Sequence, residues 1–511
     1  MGSRTWFSLK RASLPVALGI AIGAGSQPLK GAAVPDFSLV GFAALDGFST
    51  NGTLLAGGTT GGAAGLRVQV STLADLVQHL ESDAPRVIEL TQDIDMAPLA
   101  NHQGGFPTDY PVGEIRVHSD KTLCSKHGAT LRRGTLRLGK GPTGRHNIII
   151  RNLRFRDLWV PDPTGKYDEY GWDYIGLEAG SHHVWIDHCD FERAYDGMID
   201  VKGGADYVTV SWCVFRDQKK CNLVGASDNS GATDRGHLNI TLHHNWYQDV
   251  AERTPRMRFG NAHVFNLYCV NLGGKGIQST VDAATLVEAA FFETPKTGSY
   301  PTLEANGGPA GIVKVVGSRI VNAPGVNVAF REFGAREFRF NPPFATPEPP
   351  YPYTAHPVDE VPGVVTRWAG PGKIGFELWR LEHFTPDQLR ETDLSGPGAS
   401  PAGDGVPNLL KYAFGLGPFE QAVSPWITLR LDEGRGMLAY ARPASATDVS
   451  YRVEVSQDLE AWTESGIHHA ATGTNASGLQ TWEARQTTPP TARFFFRMRI
   501  GFSGPADSGS P

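Results

Sequence analysis

A short pattern of apolar and polar residues recurs along the middle of the chain. In each copy the apolar residues alternate with polar ones, and an aromatic or apolar residue closes the segment. A period of two residues is typical of a β-strand that buries one face. The copies that show the pattern best are residues 150–155, 186–191, 210–215, 242–247 and 264–269, and weaker ones end at Phe292 and Ile320.

The spacing of these copies indicates how the strands are arranged. The closing residues stand at positions 155, 191, 215, 247, 269, 292 and 320, so the steps range from 22 residues (269−247) to 36 residues (191−155). Unequal steps above a common minimum favour a solenoid whose rungs carry loops of different length. A β-sandwich would have shorter, more regular spacing with hairpin signals. The pattern therefore predicts an all-β solenoid.

The two ends of the solenoid have different compositions. Residues 68–80 predict a strand followed by an amphipathic helix with Thr72 as its N-cap, and such a helix would cap the open end of the stack. After Phe344 the chain is rich in proline, and residues 346–357 predict an extended tail along the solenoid. We expect the solenoid domain to span residues 34–374. Alternating segments beyond it predict a small β-rich accessory module over residues 375–511.

The N-terminus has the features of a secretory signal. Basic residues at positions 4, 10 and 11 precede the apolar residues 12–24, and small residues follow. We predict a signal peptide over residues 1–33, cleaved near 26–33, because the apolar stretch is short for a membrane span. The sequence thus predicts a secreted protein, extracellular, periplasmic or at the cell surface, and we expect a monomer with no membrane segment.

Charge and cysteine content exclude some functions. The formal net charge is −6, which argues against a nucleic-acid binder, although a local basic cleft for an acidic polymer remains compatible with it. The 5 cysteines lack the paired spacing of a zinc or redox site. Whether Cys189 and Cys213 form a disulfide stays open at this point.

Three carboxylates, Asp187, Asp196 and Asp200, lie close together in the repeat. Rungs of a solenoid are about 4.8 Å apart, so side chains on neighbouring rungs can converge. A cluster of hard carboxylate oxygens suits Ca²⁺. Aspartates also cap turns without binding metal, and the spacing leaves both interpretations open.

Basic residues follow in the next two rungs, and they include Lys219, Lys220, Arg253, Arg256 and Arg258. Such a run is often only a solvated face. An acidic cluster and a basic cluster on one flank of a solenoid would also fit an anionic polymer bridged by a metal ion.

Residues 184–191, 196–215, 217–228 and 238–266 together resemble the pectate lyase and pectin lyase family, and the resemblance extends over about residues 40–370. It implies a right-handed parallel β-helix with a substrate cleft on one flank. It also implies Asp187, Asp196 and Asp200 as calcium ligands, Lys220 as the lysine that holds a uronate carboxylate, Arg253 as the catalytic arginine and Arg258 as a second motif arginine. Pectin lyases lack these acids, so the resemblance implies polygalacturonate (pectate) as the substrate.

The implied reaction is β-elimination, with Arg253 as the base and with calcium, Lys220 and Arg258 stabilising the developing negative charge. Three alternatives remain: a pectin lyase, a hydrolytic polygalacturonase and a non-catalytic pectin-binding solenoid. The first would act on methylated pectin in excess chelator, and the second would need acid–base aspartates in motifs that we do not find.

In the accessory module, the loop around Asp404 keeps Asn408 but has Ser400 and Ala402 where acids are common in related loops, so a metal site there is not expected.

Overall fold

The computed structural model of the chain describes residues 20–24, 35–48, 54–139, 144–304, 309–385, 388–389, 391–422, 427–488 and 494–503. The chain divides into two compact units, one formed by Ser38–Lys373 and the other by Ile374–Pro511 together with Met1–Phe37. Most of the predicted signal peptide lies outside the described residues. Within it, the backbone of Ile20–Ala24 forms a strand that pairs in parallel with the last strand, Phe495–Phe502.

Parallel strands build the larger unit, and in the described part of the chain they form two extended sheets. One sheet has ten strands: Leu66–Val70, Arg86–Leu90, Lys121–Cys124, His146–Arg151, His182–Asp187, Asp206–Ser211, Asn239–His243, Asn261–Phe265, Ala284–Glu288 and Ile312–Val316. The other has seventeen: Ile94–Asp95, Gly113–Arg116, Thr130–Arg132, Gly134–Leu138, Arg154–Arg156, Ile175–Leu177, Asp190–Glu192, Ile199–Val201, Val214–Lys220, Asn222–Val224, Trp246–Glu252, Arg256–Arg258, Tyr268–Val270, Lys275–Thr280, Phe291–Glu293, Tyr300–Leu303 and Arg319–Val321.

The register between rungs confirms the predicted parallel β-helix. The closing residues of the sequence repeat form one column, in which Phe155 pairs with Phe191, Phe191 with Phe215 and Phe215 with Tyr247. Their rings stack with centroids 4.7, 5.1 and 4.7 Å apart along the column. Each rung therefore buries its inward face against the rungs on either side, as a solenoid requires.

A sharp corner joins the ten-stranded sheet to the seventeen-stranded sheet in each of five successive rungs. The residue at this corner has a left-handed backbone conformation, with φ between 48° and 60°, and the five positions are Asn152, His188, Trp212, His244 and Asn266. Residues other than glycine rarely adopt this conformation unless the surrounding structure requires it. Four of the five are Asn or His, which tolerate this conformation better than most residues, so local preference and the stacking of rungs both favour the corner.

The predicted cap and tail are both present. The helix Leu73–Leu80 begins after Thr72, whose Oγ1 accepts a hydrogen bond from the Asp75 N–H at 3.2 Å, and it buries Leu76 and Leu80 in the core. The proline-rich tail lies along the ten-stranded sheet, where the Tyr351 hydroxyl contacts Thr241 Oγ1 at 2.6 Å. The tail leads into the helix Val361–Trp368.

The smaller unit has its own core. Its longer helices are Gly375–His383 and Asn408–Ala413, and its antiparallel strands are Ile427–Asp432, Arg435–Arg442, Val449–Ser456, Ile467–Thr474, Gln480–Gln486 and Phe495–Phe502. The ammonium group of the fully buried Lys411 lies 2.9 Å from Asp404 Oδ2 and donates to the carbonyls of Pro418 and Glu420. The Asp404 loop is thus closed by an internal cation.

Short elements connect these parts: the 3₁₀ turns Phe42–Ala44, Ala97–Leu99, Ala335–Glu337 and Val358–Glu360, the helices Gly231–Asp234 and Thr392–Ser395, and the hairpin of Gly47–Phe48 with Leu54–Leu55. Among the described residues no helix is both long and apolar enough to span a membrane. All five cysteines are buried free thiols, and the Cys189 N–H points at the Cys213 sulfur at 3.4 Å.

Candidate active site

The three acids singled out in the sequence do not share one location. Asp187 ends the strand His182–Asp187 in the ten-stranded sheet, whereas Asp200 lies in Ile199–Val201 of the seventeen-stranded sheet. Asp196 belongs to the turn that leads into Ile199–Val201. The structure therefore brings Asp196 and Asp200 to the same flank and leaves Asp187 on the other sheet.

Asp187 is a structural residue, and its prediction as a calcium ligand was wrong. Its side chain is 0% exposed, and Oδ2 accepts hydrogen bonds from Arg151 Nε at 2.6 Å and from His188 Nδ1 at 2.7 Å. Oδ1 accepts a hydrogen bond from Ser211 Oγ at 2.6 Å. Burial raises the pKa of Asp187, but the charges of His188 and Arg151 outweigh burial and lower it to about 2. Both carboxylate oxygens thus have internal partners.

Asp173, which the sequence analysis missed, takes the place that Asp187 was expected to fill. The strand Ile175–Leu177 pairs with Ile199–Val201 so that Ile175 lies opposite Ile199. This register sets Asp173 beside Gly197, whose N–H donates to Asp173 Oδ1 at 2.8 Å. The repeat found in the sequence followed other strands of the rung, and Asp173 precedes a strand that it did not include.

Asp173 and Asp200 converge on one point. A Cβ added to Gly197 would lie 2.5 Å from Asp200 Oδ1 and 2.8 Å from Asp173 Oδ1. Burial and the negative charge of Asp200 raise the pKa of Asp173 to about 8, and burial likewise raises the pKa of Asp200. Lys202 offsets part of this charge, because its Nζ lies 3.4 Å from Asp200 Oδ2 and 3.9 Å from Asp173 Oδ2.

This pair of acids suits a hard cation. Asp200 Oδ1 is buried and has no hydrogen-bond partner among the described residues, which is costly for a carboxylate oxygen. Carboxylate oxygens are the ligands that Ca²⁺ prefers, and its shell of six to eight oxygens is commonly completed by water. Within the described ranges, no group of three or more His, Cys, Asp or Glu side chains is arranged to hold a metal ion. A cation at Asp173 and Asp200 would therefore draw further ligands from water or substrate.

Lys220 joins the acids to the basic side of the site. It ends the strand Val214–Lys220, and its Nζ donates to Asp196 Oδ1 at 2.7 Å and to the Tyr167 carbonyl at 2.8 Å. Asp196 is thus an ion-pair partner of Lys220 in this structure. The ammonium group is held at the edge of the site by one charged and one neutral acceptor.

Arg253 lies on the same flank, immediately after the strand Trp246–Glu252. Its backbone has φ 69°, and it is fixed by hydrogen bonds from its N–H to the Lys275 carbonyl at 2.9 Å and from the Asn222 N–H to its own carbonyl at 2.8 Å. Its charge helps to lower the pKa of Asp200, against the larger effect of burial. In the described part of the chain, Arg253 Nε is buried without a hydrogen-bond partner.

Arg258 completes the basic group. Its Nε donates to Asp228 Oδ1 at 2.6 Å and its Nη1 to the Gly225 carbonyl at 2.7 Å, so its guanidinium is fixed in orientation. The buried acidic pair therefore shares one flank of the β-helix with four cations, Lys202, Lys220, Arg253 and Arg258. Such an arrangement can bind an anionic chain with the cations and concentrate a divalent ion beside it.

Comparison with known proteins identifies the family of the chain. A family model described as pectate lyase matches residues 38–307. A pectate trisaccharide-lyase of Thermotoga sp. (strain RQ2) is 34% identical over 339 residues, which are 63% of this chain and 86% of the relative. A pectate lyase of Emericella nidulans is 36% identical over 245 residues, 46% of this chain and 66% of that protein.

The fold also matches a solved structure. The pectate lyase of Paenibacillus sp. 0602 superposes with a TM-score of 0.52 at 24% identity and covers 66% of this chain and 97% of its own. At this identity the match supports the parallel β-helix fold.

Proposed function

The chain belongs to the pectate lyase family of polysaccharide lyases, and from this we propose that it is a secreted, calcium-dependent enzyme that cleaves de-esterified polygalacturonate. The observation that carries the proposal is the convergence of Asp173 and Asp200 beside Arg253, with Lys220 on the same flank. The names of the relatives, which include pectate and pectate trisaccharide-lyases, support the same substrate class.

Asp173 and Asp200 would hold the calcium ion, and Asp196 stays a predicted ligand beside them. When bound, calcium would neutralise the uronate carboxylate and so make the neighbouring C5 proton more acidic. The Lys220 ammonium would contact the same carboxylate, where negative charge grows as the proton leaves. Arg258, held by Asp228 and Gly225, would add a fixed positive charge.

Arg253 would act as the base. In its neutral form the guanidine takes the C5 proton, the C4–C5 double bond forms, and the C4–O bond breaks with its electron pair on the leaving oxygen. The leaving oxygen then takes a proton from water, and the hydroxide so formed takes the proton from the guanidinium, which restores the base. The products are a 4,5-unsaturated oligogalacturonide and a shortened chain. A guanidinium is protonated at neutral pH, so this step depends on positive charge nearby that favours the neutral form.

A lyase assay tests the proposal directly. The unsaturated product absorbs in the ultraviolet, and we expect absorbance to rise on polygalacturonate with calcium, to stop in excess chelator and to return when calcium is restored. Asp173→Asn and Asp200→Asn should each raise the calcium concentration needed for half-maximal rate. Cleavage without ultraviolet absorbance would indicate a hydrolase, and activity on methylated pectin in chelator would indicate a pectin lyase.

Secretion and oligomeric state are separate parts of the proposal. The basic start and apolar stretch of the first 33 residues support export, and N-terminal sequencing of the exported protein tests it, with a new terminus expected between residues 26 and 34. One chain carries every residue assigned to the site, which supports a monomeric enzyme. Light scattering at the concentration used for the assay would check the mass.

A further inference from the structure

A second concave site lies beside the candidate active site. It is a cavity of about 420 Å³ between the segment around Tyr110 and the loop that connects Arg154–Arg156 to Ile175–Leu177. Aromatic and acidic side chains both line it. The aromatic residues of the lining are Tyr110, Trp159, Tyr170 and Tyr195, and the acidic ones are Asp109, Asp162 and Glu169.

The loop that carries this cavity is fixed to Lys220 of the candidate active site and to the neighbouring Lys219. Lys219 Nζ donates to the Gly165 carbonyl, and Lys220 Nζ donates to the Tyr167 carbonyl at 2.8 Å. Tyr195, in the cavity wall, directly precedes Asp196, the ion-pair partner of Lys220. A polymer bound at Lys220 therefore passes next to the cavity.

The aromatic wall is held rigidly. Trp172 is fully buried, donates from Nε1 to the Gly105 carbonyl at 2.9 Å, and supports Tyr170 by stacking at 4.8 Å between centroids with 18° between the planes. Trp159 stacks on Tyr167 with centroids 6.1 Å apart. Tyr170 and Trp159 are only half-buried. Rigid, partly exposed aromatic faces are well suited to the apolar face of a sugar ring.

The charge of the cavity is opposite to that of the active site. Among the described residues, those that line it include Asp109, Asp162 and Glu169 but no lysine or arginine. The Arg193 guanidinium lies over the Trp159 ring, 5.0 Å from its centroid, and its charge is paired with that of Asp217. Burial, and then the charges of Glu169, Asp162 and Asp109, raise the pKa of Tyr170. Burial and the charges of Asp162 and Glu169 raise the pKa of Tyr195 to about 12. A uronate carboxylate would be repelled here, whereas the hydroxyl groups of an uncharged sugar could donate to these acids.

We propose that this cavity is a subsite that binds an uncharged pyranose ring of the pectin chain, next to the charged segment that the active site cleaves. The proposal rests on the proposed function for its substrate class. Two sources share this chemistry: a methyl-esterified galacturonate in the backbone, and a neutral sugar in a side branch. The enzyme would thus select the boundary between a de-esterified stretch and an uncharged unit.

The test compares kcat/KM on three substrates: polygalacturonate, partly methyl-esterified pectin, and de-esterified pectin that keeps its neutral branches. On the substrate that supplies the bound ring, Trp159→Ala should lower kcat/KM by about tenfold more than it does on polygalacturonate, mainly by raising KM. Trp159→Phe, which keeps an aromatic face, should restore most of it. A selective loss of kcat/KM on partly methyl-esterified pectin identifies the methyl-esterified galacturonate as the bound ring. A selective loss on de-esterified pectin with its branches identifies the neutral branch sugar.

The acids give an independent arm of the test. Asp109→Asn combined with Glu169→Gln should shift selectivity toward polygalacturonate by about threefold, since repulsion of a uronate is weakened. Trp462→Ala in the smaller unit is the matched control and should leave the three ratios unchanged. Equal effects of Trp159→Ala on all three substrates, or no effect, would overturn the subsite.

Binding without turnover separates this inference from the proposed function. Calorimetry in excess chelator, with a fully methylated oligogalacturonate and with a neutral branch oligosaccharide, measures the binding of uncharged ligands, and unesterified oligogalacturonate serves as the comparison that binds the cations of the active site. Binding of an uncharged ligand that Trp159→Ala abolishes would support the subsite even if no lyase activity were found. Unchanged affinity of Trp159→Ala for both uncharged ligands, or an equal loss of affinity for the unesterified form, would overturn it.

Discussion

Asp173 and Asp200 each direct a carboxylate oxygen at Gly197, so that a methyl group on that glycine would lie 2.8 and 2.5 Å from the two oxygens. These distances are shorter than a methyl group tolerates, and the atoms that would have to yield are the carboxyl oxygens of two side chains. The space beside Gly197 is thus part of the site, although glycine contributes no functional group to it.

Gly197→Ala is therefore expected to push the two carboxylates apart while the fold persists. We predict that the calcium concentration for half-maximal lyase rate rises by about tenfold or more, because the paired oxygens lose their common orientation. Calcium titration of the initial rate measures this. Gly363→Ala, in the helix Val361–Trp368 with open space around its Cβ, is the control and should not change it.

Asp187→Asn tests the correction made to the sequence prediction. Loss of this buried charge leaves Arg151 and His188 without their carboxylate, and the free energy of unfolding should fall by about 3–5 kcal/mol. Denaturant unfolding measures the change. The calcium concentration for half-maximal rate should stay at the wild-type value, and an increase as large as that of Asp200→Asn would contradict our assignment.

The same residue predicts a pH dependence of stability. Its pKa in the folded state is about 2, below the ordinary value for aspartate, so its contribution is complete above about pH 4 and is lost as the pH falls toward 2. Wild-type protein should lose more stability than Asp187→Asn between pH 4 and pH 2. Parallel unfolding curves of the two proteins across that range would argue against the ion pair.

Arg253→Lys should remove turnover without removing calcium binding. General-base groups contribute about 10²–10⁴-fold to rate, and we expect a loss of that size in kcat. In the wild type the rate should increase toward alkaline pH, since a guanidinium is protonated at neutral pH. Arg430→Lys in the smaller unit controls for the substitution itself. Near wild-type kcat in Arg253→Lys, or an acidic optimum in the wild type, would count against Arg253 as the base.

Lys411→Met should destabilise the smaller unit. The substitution leaves the nearly buried Asp404 without its cation, which costs about 3–5 kcal/mol for a buried pair. Calorimetry should show one transition moved to lower temperature, with lyase activity unchanged at ambient temperature. The double variant Asp404→Asn, Lys411→Met should recover part of the loss, and strictly additive effects would mean that the two groups are not coupled.

The β-helix could be predicted from the sequence because the same apolar and polar pattern recurs in each rung. The closing residues Phe155, Phe191 and Phe215 repeat in sequence and stack in space, so their column could be found by comparing segments. The helical cap could be predicted from Thr72 and the spacing of apolar residues after it. Both signals are local or repeated, and neither depends on how long the loops are.

The metal pair could be predicted only in part. Asp187 lies near Asp196 in sequence, but the left-handed corner at His188 and the strand Asp190–Glu192 lie between them. Nearness in sequence was therefore misleading. Asp173 reaches Gly197 across rungs through the register of Ile175 with Ile199, which depends on the length of the connecting loop. Sequence spacing alone does not give that register.

The order of the ten-stranded sheet has a consequence for solubility. A stack of parallel strands ends in two open rows of backbone N–H and C=O groups, and such edges can recruit another molecule and grow into fibres. At one edge, the segment around Phe333 covers the strand Ile312–Val316, because Val313 and Phe333 exchange backbone hydrogen bonds. At the other, Leu66–Val70 carries Arg67, which lies 3.7 Å from Glu89. Charge at one end and a crossing segment at the other therefore protect the molecule from end-to-end aggregation.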